Sequence, residues 1–260
     1  MSEAKRQSDA VDVINPEGAG AVVLLCEHAS NLIPARYHGL GVKPDDRDSH
    51  AAWDPGALAL SLLLSQALDA PLVASTVSRL VYDCNRPPEA PSAMPEKSEL
   101  VEVPGNRNLT EADREERVQT IYAPFCAALS DLLEARAARG QVTVLVTVHS
   151  FTPVYFGQPR AVEIGILHDA DTRVADAMLA AAPALPHRRI ERNMPYGPAD
   201  GVTHSLQLHA LSRGLPNVML ELRNDLLSSS EDIAAMAEEV LTLLTPALKA
   251  LETAEMAGHA

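Results

Sequence analysis

Two apolar runs in this 260-residue chain each end in a histidine: Ala21-Val22-Val23-Leu24-Leu25-Cys26-Glu27-His28 and Val142-Thr143-Val144-Leu145-Val146-Thr147-Val148-His149-Ser150. Runs that are apolar at nearly every position read as strands buried on both faces, which requires helices on either side of the sheet. A third run, Asn217-Val218-Met219-Leu220-Glu221-Leu222-Arg223, has the same character and ends in a carboxylate and a guanidinium. Open α/β sheets bind ligands outside the carboxyl ends of their strands, so the two histidines and Glu221 are expected at one site.

The segments between these runs are helical or irregular. Asp54-Pro55 reads as a helix start, with Asp54 as N-cap and Pro55 at the first helical position, followed by an apolar stripe over 57–68. Residues 71–77 read as a strand continuing towards Tyr82, and the Pro- and Glu-rich segment 87–104 as an irregular connection or lid. Thr110-Glu111-Ala112-Asp113 resembles a capping box opening a helix to about Arg139, with Pro124 as a kink and Gly140 as the stop. A strand over 160–167, a helix over 171–182, an irregular stretch over 188–202, a short helix over 203–214 and a final helix over 230–251 complete the reading. The lead-in before Gly20 is expected to be polar and irregular, and 253–260 to fray. The alternation of strands and helices predicts an α/β fold, a three-layer α/β/α sandwich with a mixed, largely parallel sheet, as one domain over 1–260 with its core at about 20–245.

The formal net charge of −14 opposes a nucleic-acid groove, so an anionic ligand must be met by local arginines. Cys26, Cys84 and Cys126 are odd in number and widely spaced, which suggests neither a disulfide framework nor a zinc knuckle. No apolar stretch is long enough to span a bilayer, and the first residues lack the core of a signal peptide, so a cytoplasmic protein without membrane association is expected.

His28 and His149 are the leading metal ligands, because neutral imidazole suits zinc and a catalytic zinc takes three protein ligands. Asp54, His50 and Glu27 are the candidates for the third. Arg79, Asn85 and Arg86 leave a strand for the long loop and fit recognition of an acidic small molecule, since the arginine fork pairs bidentately with carboxylate. Glu221 and Arg223 alternate on one strand and point to one face. No Gly-x-Ser-x-Gly elbow, His-Glu-x-x-His helix or Walker loop is present.

Several motifs occur in order: Cys26-Glu27-His28-Ala29-Ser30-Asn31, His50-Ala51-Ala52-Trp53-Asp54-Pro55-Gly56-Ala57, Ser78-Arg79-Leu80 with Asp83-Cys84-Asn85-Arg86-Pro87, Pro104-Gly105-Asn106-Arg107, His149-Ser150-Phe151-Thr152-Pro153, Asn193-Met194-Pro195-Tyr196 and Glu221-Leu222-Arg223-Asn224-Asp225. Together they resemble the N-formylglutamate amidohydrolase family over about residues 20–245. The resemblance implies a zinc-dependent amide hydrolase on a fold similar to zinc carboxypeptidases and aspartoacylases, acting on a small anionic N-acyl amino acid. Those relatives carry a Glu three residues after the first His. Here that position is Asn31, which moves the acidic ligand to Asp54. By motif, Arg79, Asn85, Arg86 and Arg223 are expected at the substrate, Glu221 as the proton-transfer group, and Ser150 and Asn193 behind the site. Three alternatives stand beside this reading: a deacylase for another N-acyl compound in the same fold, a thiol amidase using Cys26 with His28, and a binding or sensor protein without turnover.

Overall fold

The computed structural model describes residues 5–8 and 10–258. Its strands are β1 (Lys5–Ser8), β2 (Val11–Ile14), β3 (Val22–Cys26), β4 (Leu72–Ser75), β5 (Val144–Phe151), β6 (Ile164–Leu167), β7 (Ile190–Arg192) and β8 (Asn217–Arg223). Among the described residues these eight form one sheet in the order β1-β2-β4-β3-β5-β8-β6-β7. The middle strands β4, β3, β5 and β8 are parallel, while β2 against β4 and β6 against β8 are antiparallel.

Each buried strand divides its side chains between two cores, as a period of two requires. Val22, Leu24, Val146, Val148 and Leu220 pack under the helices α1 (Ala57–Leu68), α4 (Arg173–Ala181) and α5 (Ser230–Gly258). Val23, Leu25, Leu145 and Met219 face the other way, towards α3 (Ala123–Ala138). The three-layer α/β sandwich with a mixed, largely parallel sheet is therefore the observed fold.

Local signals placed several elements well. Thr110 caps α2 (Glu111–Arg117), and the reciprocal bonds of Thr110 and Asp113 complete a capping box. A π turn over Val118–Tyr122 joins α2 to α3, so Pro124 lies in the first turn of a new α-helical segment, where its missing N–H costs nothing. Five expectations change. The lead-in is not irregular, because β1 and β2 extend the sheet beyond β4; residues 1–4 and 9 lie outside the described residues. The strand β4 ends at Ser75, and 79–81 form a turn fixed by Ser78, whose Oγ donates to the Ala52 carbonyl. β6 starts at Ile164, not at Arg160, and the stretch 188–202 contains β7. The final helix runs to Gly258, past the expected fraying point, and 259–260 lie outside the described residues.

Arg136 closes the base of the sheet. Its guanidinium is buried and donates to the carbonyls of Gly18, Gly20 and Val142 and to Thr143 Oγ1, at 2.6 to 3.0 Å. Removing it orphans the buried acceptors Gly18 O and Thr143 Oγ1, at about 1–3 kcal/mol each before relaxation, and takes a donor from the partly buried Gly20 and Val142 carbonyls. Arg136→Met is expected to lower the urea-unfolding free energy by at least about 3 kcal/mol while leaving the distant site intact. A midpoint close to wild type would show that water satisfies these carbonyls.

Candidate active site

Strand pairing brings the chemistry together. β5 and β8 are parallel neighbours in a register that sets Glu221 directly opposite His149. His28 lies two residues past the end of β3, the strand on the other side of β5. Asp54 enters from the loop before α1, tied down by its own N–H, which donates to the His28 carbonyl at 2.9 Å.

That placement corrects the expected role of Asp54 as a helix cap. The residue at the helix entrance is Gly56, with φ of 82°, and α1 starts at Ala57. A side chain at Gly56 would meet the left-handed backbone strain and also lie 2.4 Å from Leu227 Cβ. The tight turn at Gly56 frees the Asp54 carboxylate to turn from the helix to the strand ends. There Asp54 Oδ2 lies 3.2 Å from His28 Nδ1 and 2.9 Å from His149 Nδ1, and accepts the Ser150 N–H at 3.2 Å. The two Nδ1 atoms are 3.2 Å apart.

These three atoms form a nearly equilateral triangle. Tetrahedral zinc with ligands at about 2.0–2.1 Å holds its donors about 3.3 Å apart, so the triangle has the dimensions of one face of such a site. The outer nitrogens differ: His28 Nε2 is hydrogen-bonded to Asp83 Oδ1 at 2.7 Å, whereas His149 Nε2 lies 3.2 Å from Glu27 Oε2 at ion-pair distance but without hydrogen-bond geometry. Asp83 thus fixes the His28 ring and directs its Nδ1 inward, as is usual for metal-ligating histidines, and Glu27 supplies negative charge behind His149. His28, Asp54 and His149 form a buried cluster suited to a metal ion. Of the other two candidates for the third ligand, Glu27 stands behind His149, and His50 pairs with Glu99.

The electrostatics follow from burying this many carboxylates. Burial alone would make His149 less basic, but Glu27 and Asp54 hold its imidazole well above the ordinary value. Asp54 and Asp83 are buried too, yet the histidines, and Arg79 beside Asp83, keep both carboxyls below their usual range. Glu221 behaves oppositely. Its burial outweighs the attraction of His149 and raises it to about 7, and among the described residues its Oε2 has no hydrogen-bond partner.

A cavity of about 540 Å³ opens onto this cluster, lined among others by His28, Asp54, Arg79, Asn85, Arg86, His149 and Glu221. The expected substrate-binding residues divide inside it. Arg79 is committed to carboxylates, at 2.7 Å from Asp83 Oδ2 and 3.5 Å from Asp54 Oδ1. Asn85 uses its amide on Val202 O and the Ser205 N–H, which pins the 202–205 segment to the cavity wall. Arg86 donates to the Asn85 and Gly201 carbonyls. Arg223 does not line the cavity: its guanidinium contacts Asp225, Glu163 and the Arg160 carbonyl. Alternation along β8 gives Arg223 the face of Glu221, but at the strand end nearby acids capture it. Ser150 Oγ donates to Pro55 O, and Asn193 Oδ1 accepts the His168 N–H.

Sequence reasoning missed Arg160 and assigned Asp83 no role. Arg160 follows a two-residue hairpin strand, Gln158–Pro159, and reaches the cavity with Tyr155 and Tyr196. Tyr196 is brought close because Gly165 lets the chain pass over β6: a Cβ there would lie 2.0 Å from Met194 O. The segment expected as a lid holds a hairpin, Lys97–Ser98 with Val101–Glu102, and Ser98 and Glu99 stand in the cavity wall. The thiol route lacks a nucleophile, because Cys26 packs in the apolar core with Val22 and Leu24 and burial keeps its thiol well above the ordinary value.

A buried His-Asp-His cluster and an isolated carboxylate at the strand exits give this α/β sheet the layout of a candidate metal site. The N-formylglutamate amidohydrolase family model matches residues 20–228, and the chain belongs to that family. The crystal structure of gene product Atu2144 from Agrobacterium tumefaciens is 54% identical, with a TM-score of 0.92 over 95% of this chain and 97% of that one. The N-formylglutamate amidohydrolase from Ralstonia eutropha JMP134 shares the fold at 18% identity, with a TM-score of 0.71 over 96% of this chain and 99% of that one. No curated protein matches the chain. Among the described residues no helix is long and apolar enough to cross a membrane.

Proposed function

We propose that the chain is a zinc-dependent amidohydrolase that cleaves N-formyl-L-glutamate to formate and L-glutamate. The observation that carries this reading is the triangle of His28 Nδ1, His149 Nδ1 and Asp54 Oδ2 in one cavity with Glu221. Two imidazoles and one carboxylate suit zinc among the common divalent ions. When bound by these three side chains, the metal supplies Lewis-acid polarisation of the formyl carbonyl and a more acidic water.

The remaining steps belong to the chain's own groups. Glu221 accepts a proton from water as the water oxygen bonds to the formyl carbon, and delivers it to the amide nitrogen as the C–N bond breaks. Burial raises this carboxyl above its ordinary value, which suits it to take up a proton and to give it back. Arg79, held beside Asp54, contributes positive charge next to the reacting carbonyl. Arg86, whose described partners are carbonyls and not carboxylates, receives the substrate α-carboxylate.

The test is hydrolysis of N-formyl-L-glutamate by protein stripped with chelator and then reloaded. Turnover is expected to vanish on stripping and to return with one equivalent of zinc per chain. Unchanged turnover in stripped protein would exclude the metal-dependent route, and no turnover after reloading would exclude the substrate.

A further inference from the structure

We infer that Arg160 reads the side-chain carboxylate of the substrate, so that the cavity selects N-acyl amino acids whose side chain is itself acidic. This rests on the amidohydrolase reading above and names a residue for its specificity. The chain's strong negative charge makes long-range capture of a dianion unfavourable, so selection must come from a local cation with unused donors.

The basic side chains of the cavity differ in what they have left to offer. Arg79 is paired with Asp83 and Asp54, and His50 with Glu99. Arg160 forms no ion pair among the described residues, and its guanidinium makes one hydrogen bond, from Nη1 to Tyr196 Oη at 2.7 Å. Two further acids on the cavity wall are engaged elsewhere: Asp200 Oδ2 accepts the Gly197 N–H, and Glu99 Oε1 accepts the Phe156 N–H. Four of the five donors of Arg160 are thus uncommitted, including those of the Nε–Nη2 edge that pairs bidentately with carboxylate.

The surroundings fix that edge in place. The Arg160 guanidinium carbon lies 4.3 Å from the centroid of Tyr155, 4.7 Å from that of Tyr196 and 5.6 Å from that of Phe151. Ring faces hold a guanidinium by cation–π attraction and shield it from water, which strengthens its pairing with an anion. They also offer an apolar wall for methylenes. Arg86 lacks these ring faces: it donates from Nη1 to the Asn85 and Gly201 carbonyls and lies close enough to Asp83, the partner of His28, to act on its charge, with its Nε–Nη2 edge free among the described residues. The carboxylate adjacent to the scissile amide therefore suits Arg86, and one displaced from it by two methylenes suits Arg160.

The experiment compares N-formyl-L-glutamate with N-formyl-L-glutamine in the zinc-loaded wild type, Arg160→Gln and Arg160→Lys. Arg160→Gln should lower kcat/KM for the acidic substrate by about 10–100-fold, mainly through KM, as loss of a charge-assisted pair does. The neutral substrate should change little, so the preference collapses. Arg160→Lys keeps the charge without the planar fork and should fall between the two. Retained preference in Arg160→Gln, or equal losses on both substrates, would overturn the assignment. Calorimetry with L-glutamate and L-glutamine separates this outcome from failure of the catalytic reading. Even if neither formyl compound is hydrolysed, the wild type should bind glutamate more tightly, and Arg160→Gln should not; equal affinities in the wild type would refute the role of Arg160.

Discussion

Glu221→Gln is expected to cut turnover by about 10²–10⁴-fold while leaving the fold and the metal content unchanged, the loss typical of removing a positioned acid–base group. The amide is isosteric with the carboxyl, and the space it must occupy is already closed, with Glu221 only 5% exposed. Its Oε2 has no partner among the described residues, so the substitution breaks no hydrogen bond on that atom. What it removes is the ability to take up and release a proton. Because the loss falls on the chemical step, kcat should drop with little change in KM. The pH profile supplies a second readout. Burial raises Glu221 to about 7 in the metal-free chain, and a cation held beside it favours the ionised form, so the acid limb of kcat/KM should lie below 7 in the loaded enzyme. Rate rises with pH through that limb as the base ionises, and the limb should disappear in the variant. Near wild-type turnover in Glu221→Gln, with its limb intact, would place proton transfer on another residue.

How far the sequence disclosed this site depends on which signals are local. The strand runs ending at His28 and His149 are legible because continuous apolar character leaves few alternatives to a doubly buried strand, and parallel strands deliver their carboxyl ends to one edge. The apolar stripe of α1 and the capping box at Thr110 are legible for a similar reason, since helical spacing and capping chemistry act over three or four residues.

Asp54 shows where local reasoning fails. An Asp-Pro pair before an apolar stripe has the chemistry of a helix start, and nothing in those residues alone separates a cap from a ligand. The decision is tertiary: Gly56 packs against Leu227, 171 positions further on, and the turn it makes carries the carboxylate away from the helix. Arg223 fails for a different reason. A strand's period of two assigns a face but says nothing about which acids crowd its end, and Asp225 and Glu163 take the guanidinium. Arg160 and Tyr196 carry no periodic signal because both come from irregular chain outside the central strands. Their juxtaposition depends on the close passage over Gly165.

The same correction of Asp54 sharpens the metal prediction. If Asp54 capped α1, Asp54→Asn would retain most of the cap and the metal; as a ligand in the observed triangle, it should lose affinity for zinc, while neutralising a carboxylate held below its usual range also lowers metal-free stability. His149→Ala is expected to abolish binding as well, but it also leaves the buried Glu27 facing no imidazole, a cost of about 3–5 kcal/mol that can unfold the chain and confuse the result. Asp54→Asn avoids this, because an amide oxygen still accepts the Ser150 N–H and stays beside both rings. Zinc that binds only the folded chain stabilises it by about 2.7 kcal/mol at a hundredfold excess over Kd, so a thermal melt reports binding without any substrate. The wild type should therefore melt higher with zinc, and Asp54→Asn, measured from its own lower metal-free midpoint, should show little or no shift at the same concentration. An equal zinc-induced rise in both proteins would remove Asp54 from the ligand set and leave the two histidines to recruit their third partner elsewhere in the cavity.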